Sequence, residues 1–302
     1  MARHSSPSDS VKHDAVGPIA GSQPRSRVVL RRFARNRLAV GGALFLVALM
    51  LAALFAPFLT PYEPLRTDPL NAFAPPSSAH PLGTDEVGRD VLTRLIYGSR
   101  TSLGVGFLVM LIGVVLGTLL GSLSGYFQGT VDMIIMRFTD AVMAIPLFFL
   151  LLSILAIFGT SPQAVIVVLG LTSWMGVARV VRSEFIKWRR SAFVEAAHAL
   201  GAPTLRVIGT HILPQAFPTI IVAATLAVAV AILNESALSY LGLGIQPPQP
   251  TWGNMLMNAQ QYVWTSPNLA LYPGVVILLT VLSYNFVGDG LRDALDPTIS
   301  RV

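Results

Sequence analysis

The apolar positions of this chain gather into long runs instead of alternating with polar ones. Six runs approach the roughly 20 residues that cross a bilayer core: 38–59, 101–125, 133–158, 162–181, 217–233 and 269–287. They predict an all-α, polytopic membrane protein with six transmembrane helices. Two of the runs are imperfect. The third carries Arg137 and Asp140 near its start, and Pro146 is expected to kink it. The fourth, diluted by Thr172, Ser173 and Trp174, is the weakest span. Composition agrees with the pattern, since charged residues are 12% and apolar residues 53% of the chain, where about a quarter charged is usual in a soluble domain.

Arginine orients the spans. Arg25, Arg27, Arg31, Arg32, Arg35 and Arg37 precede the first one, which places the N-terminus in the cytoplasm by the positive-inside rule. Six spans return the C-terminus to the same side. The loop after the fourth then lies inside with Arg182, Lys187, Arg189, Arg190 and Arg206, and the loop 244–268 lies outside without a charge. Segment 60–100 is the exception, an outer stretch that holds Arg66, Arg89, Arg94 and Arg100. The organisation expected is a disordered basic cytoplasmic tail at 1–30, the first transmembrane helix and an extracytoplasmic segment at 31–100, a core domain at 101–290 and a cytoplasmic tail at 291–302. No cleaved signal peptide is expected, because the first apolar run starts late and has no small-residue cleavage site behind it. The net charge of +6 reads as membrane orientation and attraction to anionic lipid. The basic residues flank spans and are not interleaved with stacking aromatics, which argues against a nucleic-acid partner.

The chain offers little chemistry of its own. It has no cysteine, which excludes disulfides, thiolate metal sites and cysteine nucleophiles. Neither Lys12 nor Lys187 follows the spacing of a phosphate-binding loop, so any ATP is hydrolysed elsewhere and no catalytic residue is assigned. His4, His13, His80, His198 and His211 are scattered, and no metal site is expected. Asp140 and Glu235 lie near opposite ends of their spans with no histidine inside one, which argues against a proton relay. Asp140, three residues after Arg137, is expected to pair with it. Glu235, beside Asn234, either lines a pathway or caps the outer turn-rich segment. Gly113, Gly117, Gly121 and Gly125 form one stripe that lets backbones approach, either within the chain, which is the expectation, or at a seam with a partner subunit. In 82–90 Thr84 reads as a helix cap. Asp85 with Arg89, and Asp90 with Arg94, are spaced to pair, and Val87, Val91, Leu95 and Ile96 form the apolar stripe of an interfacial helix leading into the second span.

The informative polar insertion is the cytoplasmic loop 183–214. Residues 191–200 predict a short helix, which Gly201 ends in the left-handed conformation. Pro203 suits the first turn of a second short helix over 204–211, stopped by Pro214. Ala196 and Ala197 present little bulk, so another protein can approach closely, and Glu195 can reach a basic or amide group on it. An amphipathic hairpin lying on the inner leaflet remains the plainer alternative.

Five motifs in order carry a resemblance. They are residues 81–103 (PLGTDEVGRDVLTRLIYGSRTSL), the loop from Glu195-Ala196-Ala197 through Gly201 to Ile212-Leu213-Pro214, residues 238–244 (LSYLGLG), residues 250–254 (PTWGN) and residues 288–297 (GDGLRDALDP). Over 30–300 the chain resembles the C-type transmembrane subunit of the dipeptide, oligopeptide and nickel permeases, with the fold of an ABC type I importer permease. His211 stands where the general importer pattern has an aliphatic residue, and a histidine there is what the peptide branch has. Gln215 stands where asparagine is more usual.

The resemblance implies a homologous permease subunit, two ABC ATPase subunits, identical or different, and an extracytoplasmic solute-binding protein. ATP and Mg would be used by the ATPases, with no cofactor on this chain. It implies alternating access, driven through Glu195, Ala196, Ala197, Leu200, Gly201, His211, Ile212, Leu213 and Pro214. The function implied is that of a non-enzymatic peptide-importer subunit in a bacterial inner membrane, with nickel, glutathione or another small solute as alternatives. A membrane scaffold that docks a cytosolic partner without transport is the alternative of another class. The polar set Asn234, Glu235, Asn254, Asn258 and Asn285 supplies the candidates for the translocation pathway.

Overall fold

In a bilayer the backbone finds no water, so a spanning run must satisfy its amides internally and closes into helix. The computed structural model describes residues 25–295, so of the expected tails at 1–30 and 291–302 the parts 1–24 and 296–302 lie outside the described residues. α1 (Arg25–Arg35) leads through Asn36 into α2 (Arg37–Leu54) and a single turn, α3 (Ala56–Leu59). Then come α4 (Val91–Phe127), α5 (Gly129–Met143), α6 (Leu147–Phe158) and α7 (Pro162–Arg189). Two short helices, α8 (Ala192–Ala199) and α9 (Thr204–Arg206), precede α10 (Leu213–Tyr240), α11 (Trp252–Ala259) and α12 (Asn268–Leu295). The helix therefore starts inside the stretch 1–30 read as a tail, and α12 runs past residue 291.

Among the described residues five helices are long and apolar enough to cross a membrane, or up to six if α5 and α6 form one broken span. The third predicted run is thus interrupted, not kinked: α5 and α6 meet at 84°. Pro146 sits at the N-cap of α6 with φ −55° and ψ 116°. A proline has no amide hydrogen and its ring collides with the carbonyl one turn back, so the chain restarts there. The run predicted to be weakest is the most buried of the five. Half of the apolar window of α7 is covered, against 22–33% in the others. Its hydroxyls bond back to the helix, Thr172 Oγ1 to the Val168 carbonyl at 2.9 Å and Ser173 Oγ to the Gly170 carbonyl at 3.0 Å.

The glycine stripe of α4 explains that burial. A Cβ on Gly117 would lie 2.6 Å from Val177 Cβ, one on Gly121 2.5 Å from the Ala178 carbonyl oxygen, and one on Gly125 2.6 Å from the Arg182 carbonyl oxygen. Gly113 meets Ser173 in the same register. All four glycines face α7 of the same chain, so the stripe is an internal seam. α10 packs on α4, α7 and α12, and α12 packs on α2. There Gly42 faces the Ser283 backbone and Gly290 faces Phe33 and Ala39.

Segment 60–90 differs from its prediction. No interfacial helix precedes the second span; the helix begins at Val91 and runs unbroken to Phe127. Asp90, not Thr84, caps it, accepting from the Thr93 amide at 2.7 Å. The residues before it form a folded loop in which Gly83 and Gly88 have φ +77° and +78°, values that L side chains avoid. Asp85 pairs with Arg89 at 2.6 Å as expected. Asp90 instead meets His80 Nδ1 at 2.9 Å, and Arg94 turns to Asp85 at 3.5 Å.

Candidate functional site

The loop after α7 builds a rigid corner. Ser191 begins α8 and donates its hydroxyl to the Trp188 carbonyl at 2.6 Å. At the other end the Gly201 amide bonds the His198 carbonyl at 2.9 Å and the Ala202 amide bonds the Ala197 carbonyl at 3.0 Å. This pair of bonds, with Gly201 at φ +77°, is the Schellman closure, as the sequence predicts. Pro203 stands at the N-cap of α9, one place earlier than expected.

The second short helix is not stopped by Pro214. α9 passes into a π-helical turn, Val207–Ile212, and on into α10 without a break. The Leu213 amide bonds the Ile208 carbonyl, five residues back. The wider turn releases the carbonyls that the Pro214 ring would otherwise strike. The last part of the loop is therefore the first turns of a span, joined to α8 by the four residues 200–203.

α8 is clamped from below. Val194 and Ile212 are fully buried with Val207, Phe185 and Ala216 in one apolar cluster. Tyr126, at the end of α4, places its hydroxyl 3.3 Å from His198 Nε2 and its ring under the Arg189 guanidinium at 5.5 Å. Glu184 ties α7 to α10, accepting from Trp188 Nε1 at 2.9 Å and from Thr219 Oγ1 at 3.3 Å. Arg182 grips Asp132 of α5 through two nitrogens, with Ser124 of α4 donating to the same carboxylate. α4, α7, the π turn and α10 thus converge beneath one short helix.

Its outer face is open. Glu195 and Ala196 are exposed, Leu200 is 89% exposed and Leu205 83%. Phe193, Ala196, Leu200, Arg206 and His211 border a shallow cleft of about 400 Å³. The expectation that Ala196 and Ala197 share a free face is corrected: Ala197 is turned inward at 8% exposure and only Ala196 faces out. They are consecutive, so about 100° of helix separates them. Ile212 is likewise an anchor in the core, Leu213 is half-buried and Pro214 is exposed. Tyr126 belongs to the site and escaped the sequence reading, while Arg182, read there only for its charge, and Asp132 tie α7 to α5. Asp132 was visible as a lone acid between apolar runs, whereas nothing marked Tyr126.

The candidate pathway residues do not form one cluster by contact. Asn254 is fully buried and spends its side chain on its own loop. It accepts from the Thr251 amide at 3.0 Å and donates to the Ile245 and Gln249 carbonyls at 3.2 and 2.7 Å. Glu235 is fully buried and accepts from Ser239 Oγ at 2.7 Å, while Ser239 accepts from the Ile245 amide at 3.0 Å. Neither has surface to offer a solute. Asn234, Asn258 and Asn285 are half-buried, and Asn285 Nδ2 donates to the Val281 carbonyl at 2.9 Å. The expected pair of Asp140 with Arg137 is also corrected, since Asp140 bonds Arg179 of α7 at 2.6 Å. Among the described residues no group of histidines and acids is arranged to hold a metal.

A bundle of long apolar helices with one clamped, outward-facing helix at its end is the architecture of a membrane-embedded transport subunit. The family described as binding-protein-dependent transport system inner membrane component matches residues 90–301, and the N-terminal TM domain of oligopeptide transport permease C matches residues 25–76. The chain belongs to this inner membrane component family. It is 40% identical over 271 residues to the dipeptide transport system permease protein DppC of Alkalihalophilus pseudofirmus, covering 90% of this chain and 89% of that one. It is 40% identical over 272 residues to the glutathione transport system permease protein GsiD of Pectobacterium atrosepticum, covering 89% and 90% respectively. A chain of the inward-facing MetNI methionine ABC transporter has the same fold at 19% identity, with TM-score 0.58, over 68% of this chain and 98% of that one. The protein is accordingly a multi-pass permease of a bacterial inner membrane.

Proposed function

We propose that this chain is one of two homologous permease subunits of an ATP-driven importer for short peptides, with α8 as its contact to the ATPases. The observation that carries the reading is mechanical. α8 is open on the outside and closed by the Schellman turn at Gly201, and α9, which follows it after residues 200–203, is continuous through the π turn with α10. A push on its exposed face from Glu195 to Gly201 reaches α10 through the short 200–203 link and through Val194 and Ala197 packed on Val207, Ile212 and Ala216. Tyr126, Arg189 and the buried side of α8 carry the same push to α4 and α7.

In this reading the α8 end is cytoplasmic, as the flanking arginines require, and both termini lie on that side. ATP and Mg act on partner ATPases that receive Leu200, Leu205 and Arg206 in a groove. A solute-binding protein delivers cargo at the opposite end, where α11 braces the start of α4. Asn234, Asn258 and Asn285 retain surface and are the remaining pathway candidates. A dipeptide and the tripeptide glutathione, named for the two relatives, define the solute class.

The test is uptake of a labelled dipeptide into inverted-topology-controlled vesicles that hold the purified complex and its binding protein. Uptake that requires ATP and survives collapse of the proton gradient supports the reading. Co-purification of a second permease with active ATPases is the accompanying expectation. A complex that docks an ATPase but moves no peptide, glutathione or nickel would favour a scaffold.

A further inference from the structure

α5 and α7 carry three exposed charges, Arg137, Asp140 and Arg179. Arg179 lies ten residues before the end of α7 at Arg189, about 15 Å at the rise of an α-helix. Asp140 and Arg179 are bonded at 2.6 Å, yet they remain 51% and 45% exposed. The nearby pair Asp132–Arg182 is more covered, at 19% and 33%. The surface around the open pair is apolar: Ile134, Phe138, Met143 and Ile145 are each 45–62% exposed.

Half-open charges set in an apolar face do not sit against hydrocarbon tails, because their desolvation opposes it. Water or another chain must cover them. Charge separates these occupants. Arg137 enters no ion pair among the described residues, so two cations and one anion leave the cluster at +1. A dry contact with a second chain that brought no acid would bury that uncompensated cation, which is strongly unfavourable, whereas a water-filled passage solvates it without needing one. Asp140 holds Arg179 through Nη2 alone, and the guanidinium fork suits a carboxylate.

We propose that Arg137, Asp140 and Arg179 line the water-filled translocation pathway and form a cationic station that meets the carboxylate of the passing solute. This rests on the importer reading above. Asp140 orients Arg179 and keeps the station from binding its cargo too firmly to release it.

The absence of cysteine makes a clean test. Met143→Cys, one turn beyond Asp140, introduces a single thiol into this subunit of the assembled importer, and Ile145→Cys is the second position if the first fails to assemble. Vesicles of both orientations are treated with two membrane-impermeant methanethiosulfonates, one bearing a sulfonate and one a trimethylammonium group. The expected result is reaction with both and severalfold faster reaction with the sulfonate. Arg137→Gln with Arg179→Gln should remove that preference, and Asp140→Asn should enlarge it. No reaction from either side, with or without ATP, would mean that another chain or lipid covers the face and would overturn the proposal. Reaction without a sulfonate preference would overturn the cationic station. ATP-dependent peptide uptake by the unmodified complex is scored in the same vesicles, so failure of the importer reading is seen separately.

Discussion

Two parts of this molecule are made of small residues, and they use them in opposite ways. Along α4, Gly113, Gly117, Gly121 and Gly125 are covered by α7, with no room for a Cβ at any of them. Around α8, Ala196 and Gly201 are open, and nothing lies within 4 Å of a Cβ built on Gly201. In the seam glycine is needed for close approach, and substitution there meets backbone that cannot yield. At Gly201 it is needed for its dihedral angle, and substitution strains one turn without disturbing a neighbour. The first device holds the subunit together; the second leaves a shaped surface for another protein.

The comparison breaks most sharply in the seam. Gly121→Val puts methyl groups into the Ala178 carbonyl, an overpacking of roughly 1–3 kcal/mol or more, and should abolish accumulation of the assembled subunit on membrane immunoblots. Gly104→Val, on the same helix but with nothing within 4 Å, should accumulate normally. Equal loss from both would mean that the seam is not special.

Gly201→Val should leave insertion and assembly intact but separate ATP hydrolysis from peptide uptake. The left-handed conformation costs an L residue roughly 1–2 kcal/mol, and a β-branched one is the harsher case. Gly201→Asn, which tolerates that conformation, should retain more uptake per ATP. Wild-type coupling in the valine variant would remove α8 from the drive train.

Smaller effects are expected on the open face. Glu195→Ala and Leu200→Ser should not change the thermal stability of the subunit, since both side chains are exposed, but should lower uptake per ATP hydrolysed. The smallest belongs to the clamp. Tyr126→Phe removes the contact to His198 at 3.3 Å and should lower stability by roughly 0.5–1.5 kcal/mol, read as a modest shift in detergent thermal unfolding with uptake largely kept.

The membrane class, the approximate spans and the closure of α8 at Gly201 are legible in the order of residues alone. Lipid admits one solution to a long apolar run, and a glycine after a short amphipathic helix has a local reason to end it. Local rules also suggested that Gly113 to Gly125 form a contact stripe. Only the tertiary structure decided what lay across from it, because a stripe fixes proximity and not identity. Neighbours likewise decided that Asp140 pairs with Arg179 and not with Arg137, that Ala197 is a core residue while Ala196 is not, and that Asn254 and Glu235 are braces. Pro146 and Pro214 make the same point from opposite sides. Each was expected to disturb a helix, but one breaks the chain at 84° while the other is carried through in a π turn. A proline dictates which hydrogen bond is lost, and packing against α7 and α12 dictates whether α10 continues without it.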